Sequence, residues 1–283
     1  MNDGNLIKKL RIERNITQKE LAAGLCSRST LARFENNNGN IQAYLLINIL
    51  ERMNITFEEY ASYKSNNERS KKEVLSENFS NKVLNIQHGE TYLQSLYQEY
   101  NQTNDLYYLH LYCQGRIILS KVYNKEINLA NEFKIIKKHL DNVDNWGFFE
   151  LTMYTNSLYL FDYDQTIYQF DQVIAQINKF SNSIKIKHLK IHFLVNSIIL
   201  SFEHEKPKLT TKYLEILHAS SEHTDFILGR IFWKFFTGLQ NAQNNHTIFD
   251  AEVTLSWLHS LGYSNLVENF RGIQELVEAK NNI

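Results

Sequence analysis

The stretch that specifies the first domain is TQKELAAGLCSRSTLARFE, residues 17–35. Thr17 is followed three positions later by Glu20, which is the spacing of a capping box at a helix N-terminus. Gly24 stands where a short helix must end, because glycine adopts the left-handed conformation of a helix C-terminus without strain. Ser27 is a favourable N-cap for the next helix. Two short helices joined by a turn that contains glycine predict a helix-turn-helix.

The second of these helices has an apolar inner face and a polar outer face. Leu31 and Phe34 have the spacing of packed helix positions. Arginine donates hydrogen bonds to guanine edges or to phosphates, and serine and threonine hydroxyls can bond to bases or to phosphates. A glutamine at the start of a helix can bind a phosphate together with the free backbone amides there. We therefore expect DNA contacts from Gln18, Arg28, Ser29, Thr30 and Arg33. The alternative is a small helical bundle without a DNA-binding role.

The composition favours helices throughout the chain. The 283 residues include one Pro and ten Gly, whereas sandwiches, barrels and doubly wound sheets need many tight turns built from these residues. An all-α chain is predicted.

The net charge of −1 argues against a nucleic-acid partner for the chain as a whole, but residues 1–35 contain seven Lys or Arg and four Asp or Glu. We expect a basic DNA-binding domain over residues 1–64 and a slightly acidic remainder.

The rest of the chain reads as a helical repeat. Residues 65–73 are polar and predict a linker or the start of a long helix. Residues 74–283 form amphipathic segments with polar breaks, in a weak repeat near forty residues with two helices per unit. This pattern predicts a tetratricopeptide-like solenoid whose first helices line a concave, ligand-binding surface. The units are 107–140, 146–180, 188–219 and 224–261.

One regularity points to a ligand surface on these first helices. Arg116, Asn156, Asn196 and Phe236 are spaced forty residues apart. Asparagine is unfavourable inside a helix, and a carboxamide facing a groove bonds both the N–H and the C=O of an extended peptide. The alternative is that each Asn satisfies a neighbouring helix end. The candidate peptide contacts are Arg116, Asn156, Tyr159, Asn196, Arg230 and Trp233.

Two patterns of catalytic or metal-binding type have simpler interpretations. Asp162, Asp164 and Thr166 match the Asp-x-Asp-x-Thr sequence of haloacid-dehalogenase-like phosphatases, but no strand precedes them, so a helix-capping role is preferred. His188 and His192 are four residues apart, as in a helical metal site, but no third ligand is evident. We predict no enzymatic activity, no metal and no cofactor.

The sequence shows no membrane association. The N-terminus lacks the apolar run of a signal peptide, and the longest apolar stretches are too short to span a bilayer. Two cysteines do not make a disulfide scaffold. A cytoplasmic location is expected.

The residues described above resemble two known families. Residues 17–22 and 27–35 resemble the Cro/C1-type helix-turn-helix. The whole layout is similar to the Rgg (Rgg/GadR/MutR) regulators of Gram-positive bacteria, on the segments RFE at 33–35, LERMNITFEEY at 50–60 and NWGFFE at 145–150. The resemblance implies a quorum-sensing transcriptional regulator. It would bind promoter DNA as a homodimer and a short hydrophobic signalling peptide on its C-terminal concave face.

The chain departs from the family pattern at two places. Some members carry an interchain cysteine just after the helix-turn-helix; Ala43 lies in that region here, so such a disulfide is not expected. Some members also place an arginine shortly after the residue corresponding to Asn156, where this chain has Leu158 and Tyr159, so peptide specificity is expected to differ. The alternative function is a helical scaffold that binds a protein partner without DNA.

Overall fold

The computed structural model describes residues 2–36, 39–65, 70–85, 87–123, 126–180, 182–245, 247 and 249–280. Those residues form α-helices and short 3₁₀ turns without a strand, which confirms the all-α prediction. Contacts within the chain separate two compact units, Met1–Phe79 and Ser80–Ile283.

The first unit begins with five helices around a small core. They are α1 (Asp3–Glu13), α2 (Gln18–Ala22), α3 (Arg28–Glu35), α4 (Ala43–Arg52) and α5 (Phe57–Lys64). Apolar side chains three and four positions apart give each helix one buried face. The residues that fill this core with almost no exposure include Leu6, Ile7, Leu10, Leu21, Leu31 and Ile49. Each such side chain contributes about 1.5–3 kcal/mol by its burial, so this core fixes α3 against α1 and α2.

Two short helices follow, α6 (Lys71–Ser76) and α7 (Phe79–Leu84). The Ser70 hydroxyl accepts a hydrogen bond from the Glu73 amide and the Glu73 carboxylate accepts one from the Ser70 amide, so α6 begins with a capping box. The helix that starts in the predicted linker region has 6 residues and ends at Ser76.

The second unit consists mainly of longer helices that follow one another in pairs. The first helices of the pairs are α8 (Gly89–Thr103), α10 (Ala130–Asn142), α12 (Tyr163–Asn178), α14 (Pro207–Ser220) and α16 (Glu252–Ser260). Their partners are α9 (Leu106–Tyr123), α11 (Phe148–Ser157), α13 (Ile184–Glu203), α15 (Ile227–Asn245) and α17 (Ser264–Lys280).

These pairs form two layers. Helices α9, α11, α13 and α15 contact one another in succession and are called the inner row; α8, α10, α12 and α14 pack against them. Helix α13 is buried over most of its length, and its accessible positions include His188, His192 and Asn196, which lie four residues apart on one face. The arrangement is a helical-repeat solenoid, as predicted. Each pair begins one helix earlier than the predicted units, so the inner row holds the second helix of each pair rather than the first. Among the described residues, no helix has both the length and the apolarity needed to cross a membrane.

Candidate functional sites

Local caps shape the helix-turn-helix. The Thr17 hydroxyl accepts a hydrogen bond from the Glu20 amide at 3.2 Å, and the Glu20 carboxylate accepts one from the Thr17 amide at 2.7 Å. Gly24 has φ of +73°, in the left-handed region. The Ser27 hydroxyl accepts a bond from the Thr30 amide at 3.0 Å. The predicted capping box, glycine turn and serine cap are confirmed, and together they satisfy amides at the starts of α2 and α3.

A buried ionic cluster joins the first three helices. Arg11 donates from Nε and Nη2 to the two carboxylate oxygens of Glu35, at 2.6 and 2.8 Å. Gln18 Nε2 donates to the same carboxylate at 2.8 Å, and Arg11 Nη1 donates to the Ile16 carbonyl at 2.7 Å. Burial alone would raise the pKa of Glu35, but the hydrogen bonds from Arg11 and Gln18 outweigh it and hold the pKa below its ordinary value. The cluster fixes the orientation of α3 relative to α1 and α2.

The outer face of α3 is open to solvent. Arg28, Ser29, Thr30 and Arg33 are all exposed. The hydroxyls of Ser29 and Thr30 lie 2.7 and 2.8 Å from the Ser27 hydroxyl, so they extend the cap as well as facing outward. Within the described residues, the guanidinium groups of Arg28 and Arg33 have no ion-pair or hydrogen-bond partner. Both are therefore available to phosphates or base edges.

Two further side chains position this motif. Gln18 is half-buried at the start of α2 and donates to Glu35, so it supports α3 in addition to its predicted place near the DNA backbone. Arg52, at the end of α4, donates from Nη1 to the carbonyls of Leu21, at 3.2 Å, and Ala23. These carbonyls lie at the C-terminus of α2, where intrahelical donors are lacking. No periodic pattern in the sequence indicated Arg11, Glu35 or Arg52, because their partners are distant in the chain.

A ladder of polar side chains crosses the inner row. Asn196 of α13 donates from Nδ2 to the Thr155 carbonyl in the last turn of α11, at 3.0 Å. Asn156 of α11 donates from Nδ2 to Nε2 of His110 on α9, at 3.3 Å. Burial lowers the pKa of His110 to about 4, so its ring is neutral near pH 7 and Nε2 can accept. Asn196 thus bonds a carbonyl at a neighbouring helix end, as the alternative interpretation expected, whereas Asn156 bonds a side chain within α9.

Each of these bonds uses one part of a carboxamide. Asn156 and Asn196 are half-buried, and the remaining N–H and the carbonyl oxygen of each have no partner among the described residues. A carboxamide has two N–H donors and a two-lone-pair acceptor. The ladder therefore holds both side chains in fixed orientations and leaves hydrogen-bonding capacity on each.

A second polar contact lies further along the inner row. Lys121 follows His110 by about three helical turns, so it shares the same face of α9 but lies about 16 Å along the helix axis from His110. Its Nζ lies 3.3 Å from the centroid of the Tyr159 ring and 3.4 Å from Oε1 of Glu203 on α13. Burial lowers the pKa of Lys121 and raises that of Tyr159. Tyr159, three residues after Asn156, is therefore in contact with a cation that also bridges to α13.

The structure does not bring Arg116 to the ladder. It follows His110 by six residues, which is about 240° around the helix, so it faces elsewhere. Arg116 pairs with Glu90 of α8 at 2.8 Å and lines a separate cavity of about 360 Å³. Phe236 is fully buried. Of the four residues forty positions apart, only Asn156 and Asn196 form the ladder.

Arg230 and Trp233 form a separate pair on α15. The Arg230 guanidinium carbon lies 5.3 Å from the Trp233 ring centroid. His218 of α14 packs edge-on against the same indole, with 4.4 Å between centroids. Both residues of the pair are half-buried. Among the described residues, no contact joins them to Asn156 or Asn196.

Comparison with known families assigns both units. The sequence profile of a helix-turn-helix family matches residues 7–60. The profile described as "HTH-type transcriptional regulator Rgg, C-terminal domain" matches residues 90–272, which is more than half of the chain. The chain belongs to the Rgg family. Its helix-turn-helix is accordingly the DNA-binding part of an HTH-type transcriptional regulator.

Solved structures share the fold of this Rgg-family chain over nearly its whole length. A candidate transcriptional regulator from Listeria monocytogenes EGD-e has a TM-score of 0.80 at 19% identity, covering 99% of this chain and 98% of its own. The SHP pheromone receptor Rgg2 of Streptococcus dysgalactiae has a TM-score of 0.70 at 17% identity, with coverages of 95% and 97%. The PrgX/cCF10 complex has a TM-score of 0.69 at 18% identity, with coverages of 98% and 92%.

The two remaining sequence patterns of this Rgg-family chain have structural surroundings of their own. The Asp162 carboxylate accepts hydrogen bonds from the amides of Asp164, at 3.0 Å, and Gln165, at 3.3 Å, so Asp162 caps α12 as predicted. His188 and His192 are exposed on α13. The part of the chain that the structure describes contains no cluster of three or more metal-ligating side chains.

Proposed function

We propose that this Rgg-family regulator binds promoter DNA as a cytoplasmic homodimer, and that a short hydrophobic signalling peptide bound to its inner row controls promoter binding or activation. The family membership supports the regulatory role. The fold shared with a pheromone receptor and with the PrgX/cCF10 complex supports the peptide. The protein acts by binding alone and needs neither catalysis nor a cofactor.

The observation that carries the peptide proposal is the pair of anchored carboxamides. Asn156 and Asn196 lie on adjacent helices of the inner row, and one hydrogen bond to the preceding helix of that row orients each side chain. Side chains that are already fixed lose little entropy when a ligand binds. Their free donors and acceptors match the backbone of an extended peptide.

The surroundings of the ladder favour an uncharged, apolar peptide. His110 is neutral near pH 7, and the Phe149 ring packs edge-on against it with 6.3 Å between centroids. Further along the inner row, Lys121 is paired with Glu203, so these two charges offset each other. Apolar side chains of the peptide would lie on such a surface while its backbone bonds the carboxamides.

The DNA-binding half needs two copies to bind tightly. Residues 1–35 carry an excess of only three positive charges, so the phosphate contacts of a single head are few. Two heads would place two α3 helices in successive major grooves and double the number of contacts. A peptide controls this arrangement only through its different affinities for the active and inactive dimers.

The first experiment tests the peptide site. The peptide that co-purifies with the full chain from its native host is identified by mass spectrometry, synthesised and titrated against purified protein. In the Asn156→Ala, Asn196→Ala double variant we expect at least about tenfold weaker binding, because two oriented hydrogen-bonding groups are lost. Asn131→Ala, an exposed Asn on α10, is the matched control. Unchanged affinity in the double variant would contradict the site.

The second experiment separates a regulator from a protein scaffold. A gel shift of a promoter fragment, with the salt concentration varied, should show sequence preference and loss of binding as salt rises. Sedimentation of the same protein should give a dimer. A monomer that binds no promoter fragment at low salt would instead support the scaffold.

A further inference from the structure

Helix α16 has an apolar face that is open to solvent. Val253, Trp257 and Leu261 are four residues apart, so they lie along one line of the helix. Their exposed fractions are 80%, 49% and 51%, whereas the opposite side of α16 packs into the core. Two exposed serines lie beside this line. The five residues are called the α16 face: Val253, Ser256, Trp257, Ser260 and Leu261.

The two serines do not make this face strongly polar. The Ser256 hydroxyl donates to the Val253 carbonyl at 3.3 Å, and the Ser260 hydroxyl donates to the Trp257 carbonyl at 2.7 Å. Both donors are therefore satisfied within the helix itself. A partner surface can cover them without leaving a hydroxyl proton unpaired.

Three corresponding helices of the other pairs expose charged side chains instead. Their solvent-facing positions include Lys134 and Lys138 on α10, Asp164 and Asp171 on α12, and Lys212 and Glu215 on α14. On α16, the charged residue Glu252 lies to one side of the face and pairs with Arg271 of α17 at 3.3 Å. Single exposed apolar residues are common, but a continuous uncharged patch marks a surface that binds a partner.

The size and symmetry of the α16 face fit a second copy of this chain. A side chain as large as Trp has about 250 Å² of surface, so the exposed fractions amount to a patch on the order of 300 Å². A standard interface buries about 800 Å² on each partner, with an apolar centre and a polar rim, so the patch has the size of such a centre. Val253 and Leu261 lie four residues to either side of Trp257. A twofold axis at Trp257 therefore places the apolar line against its own copy.

We propose that the α16 face is the surface through which two copies of this chain associate. The inference rests on the homodimer in the proposed function and adds the surface that forms it. The two α16 helices run antiparallel across the twofold axis, with Trp257 against Trp257 of the partner subunit and Val253 against Leu261 of the partner subunit. Antiparallel pairing also brings the positive end of each helix dipole close to the negative end of the other.

Sedimentation velocity of the full chain over a range of concentrations tests the face. Trp257→Glu places two carboxylates opposite each other at the axis, since every substitution occurs twice in a symmetric dimer. We expect the dissociation constant of the dimer to rise at least about a hundredfold. Tyr168→Glu, at an 87% exposed position of α12, is the matched control and should leave the constant unchanged. Because neither side chain is buried, both variants should keep the helix content of the wild type, measured by circular dichroism.

Chemical cross-linking tests the antiparallel arrangement. Cys26 is first replaced by Ser, and Cys113 is buried, so an added cysteine is the accessible thiol. In a mixture, a short bismaleimide should link the Val253→Cys protein to the Leu261→Cys protein, one of them tagged so that the mixed dimer has its own size. Each protein alone should cross-link far less, because its two cysteines lie about 12 Å apart along the helix axis.

The outcomes separate this surface from the homodimer itself. A wild-type dimer whose dissociation constant is the same in Trp257→Glu would overturn the α16 face and leave the homodimer standing. Self-linking of Val253→Cys that is as efficient as the mixed linking would overturn the antiparallel arrangement. A wild type that sediments as a monomer throughout would contradict the homodimer of the proposed function, and the face with it.

Discussion

Replacing Arg11 by methionine should destabilise the helix-turn-helix through the charge that it leaves behind. Glu35 is fully buried, and both of its oxygens accept from Arg11. Removing one partner of such a buried pair typically costs about 3–5 kcal/mol, because the other charge stays buried without compensation. The double variant Arg11→Met with Glu35→Leu removes both charges, and we expect it to recover most of that loss.

The size of the effect should depend on pH with a definite sign. In the native protein the pKa of Glu35 lies below 4.5, so its contribution to stability is present above pH 4.5 and is lost as the pH falls through the folded pKa. Without Arg11, burial is opposed only by Gln18 and Lys8, so we expect the pKa to rise above 4.5. In the variant, protonation of the Glu35 carboxylate at low pH removes the uncompensated charge and so restores part of the lost stability. The stability difference between the two proteins should therefore shrink as the pH falls toward 4.5.

Hydrogen exchange followed by mass spectrometry is the suitable assay, because it reports α1 and α3 separately from the second unit. All three tryptophans, Trp146, Trp233 and Trp257, lie in the second unit, so their fluorescence provides an internal control that should not change. A loss of protection in α1–α3 that is independent of pH would refute the electrostatic reasoning. A double variant as unstable as Arg11→Met would refute it equally.

Three further changes have defined outcomes. Arg28→Ala should reduce the discrimination between operator and unrelated DNA by about 1–3 kcal/mol. Arg33→Ala should weaken binding to operator and to unrelated DNA alike, and should reduce by about one the slope of log affinity against log salt concentration. Identical effects of the two variants in gel-shift titrations would contradict these roles. Thr17→Ala should lower the stability of α2 measured by hydrogen exchange by about 1 kcal/mol, whereas Thr152→Ala, at a half-buried position of α11, should leave α2 unchanged. His110 has a folded pKa of about 4 against 6.5 unfolded, so its neutral form stabilises the fold above pH 6.5. About 3 kcal/mol of the free energy of unfolding should be lost as the pH falls toward 4. The measurement is unfolding followed by tryptophan fluorescence across this pH range, and the same pH dependence in His110→Phe would exclude a contribution from His110.

The features that follow from neighbours in the sequence were predictable. The Thr17–Glu20 capping box, the Gly24 turn and the Ser27 cap each depend on residues within a few positions of one another. The Asp162 cap of α12 is local in the same way. Their geometry is fixed by backbone dihedrals and hydrogen bonds inside a single turn, so the order of residue types was enough to predict them.

The candidate ligand surface was predictable only in part. Asn156 and Asn196 were selected because Asn is unfavourable inside a helix, and both lie on the inner row. Arg116 shared their spacing but faces α8, because repeat length does not fix the rotation of each helix about its axis. His110, Lys121 and Glu203 carried no recognisable pattern, since their contacts join helices far apart in the chain.

The sequence by itself determined that the chain is helical, that its N-terminus forms a helix-turn-helix and that its remainder repeats. Helix periodicity, caps and scarce turn residues are local or additive properties that can be counted along the chain. Only the tertiary structure decided which polar groups meet, including the buried Arg11–Glu35 pair and the ladder at Asn156. Side-chain hydrogen bonds and ion pairs act over a few ångströms, so they depend on how helices are rotated and packed rather than on their order.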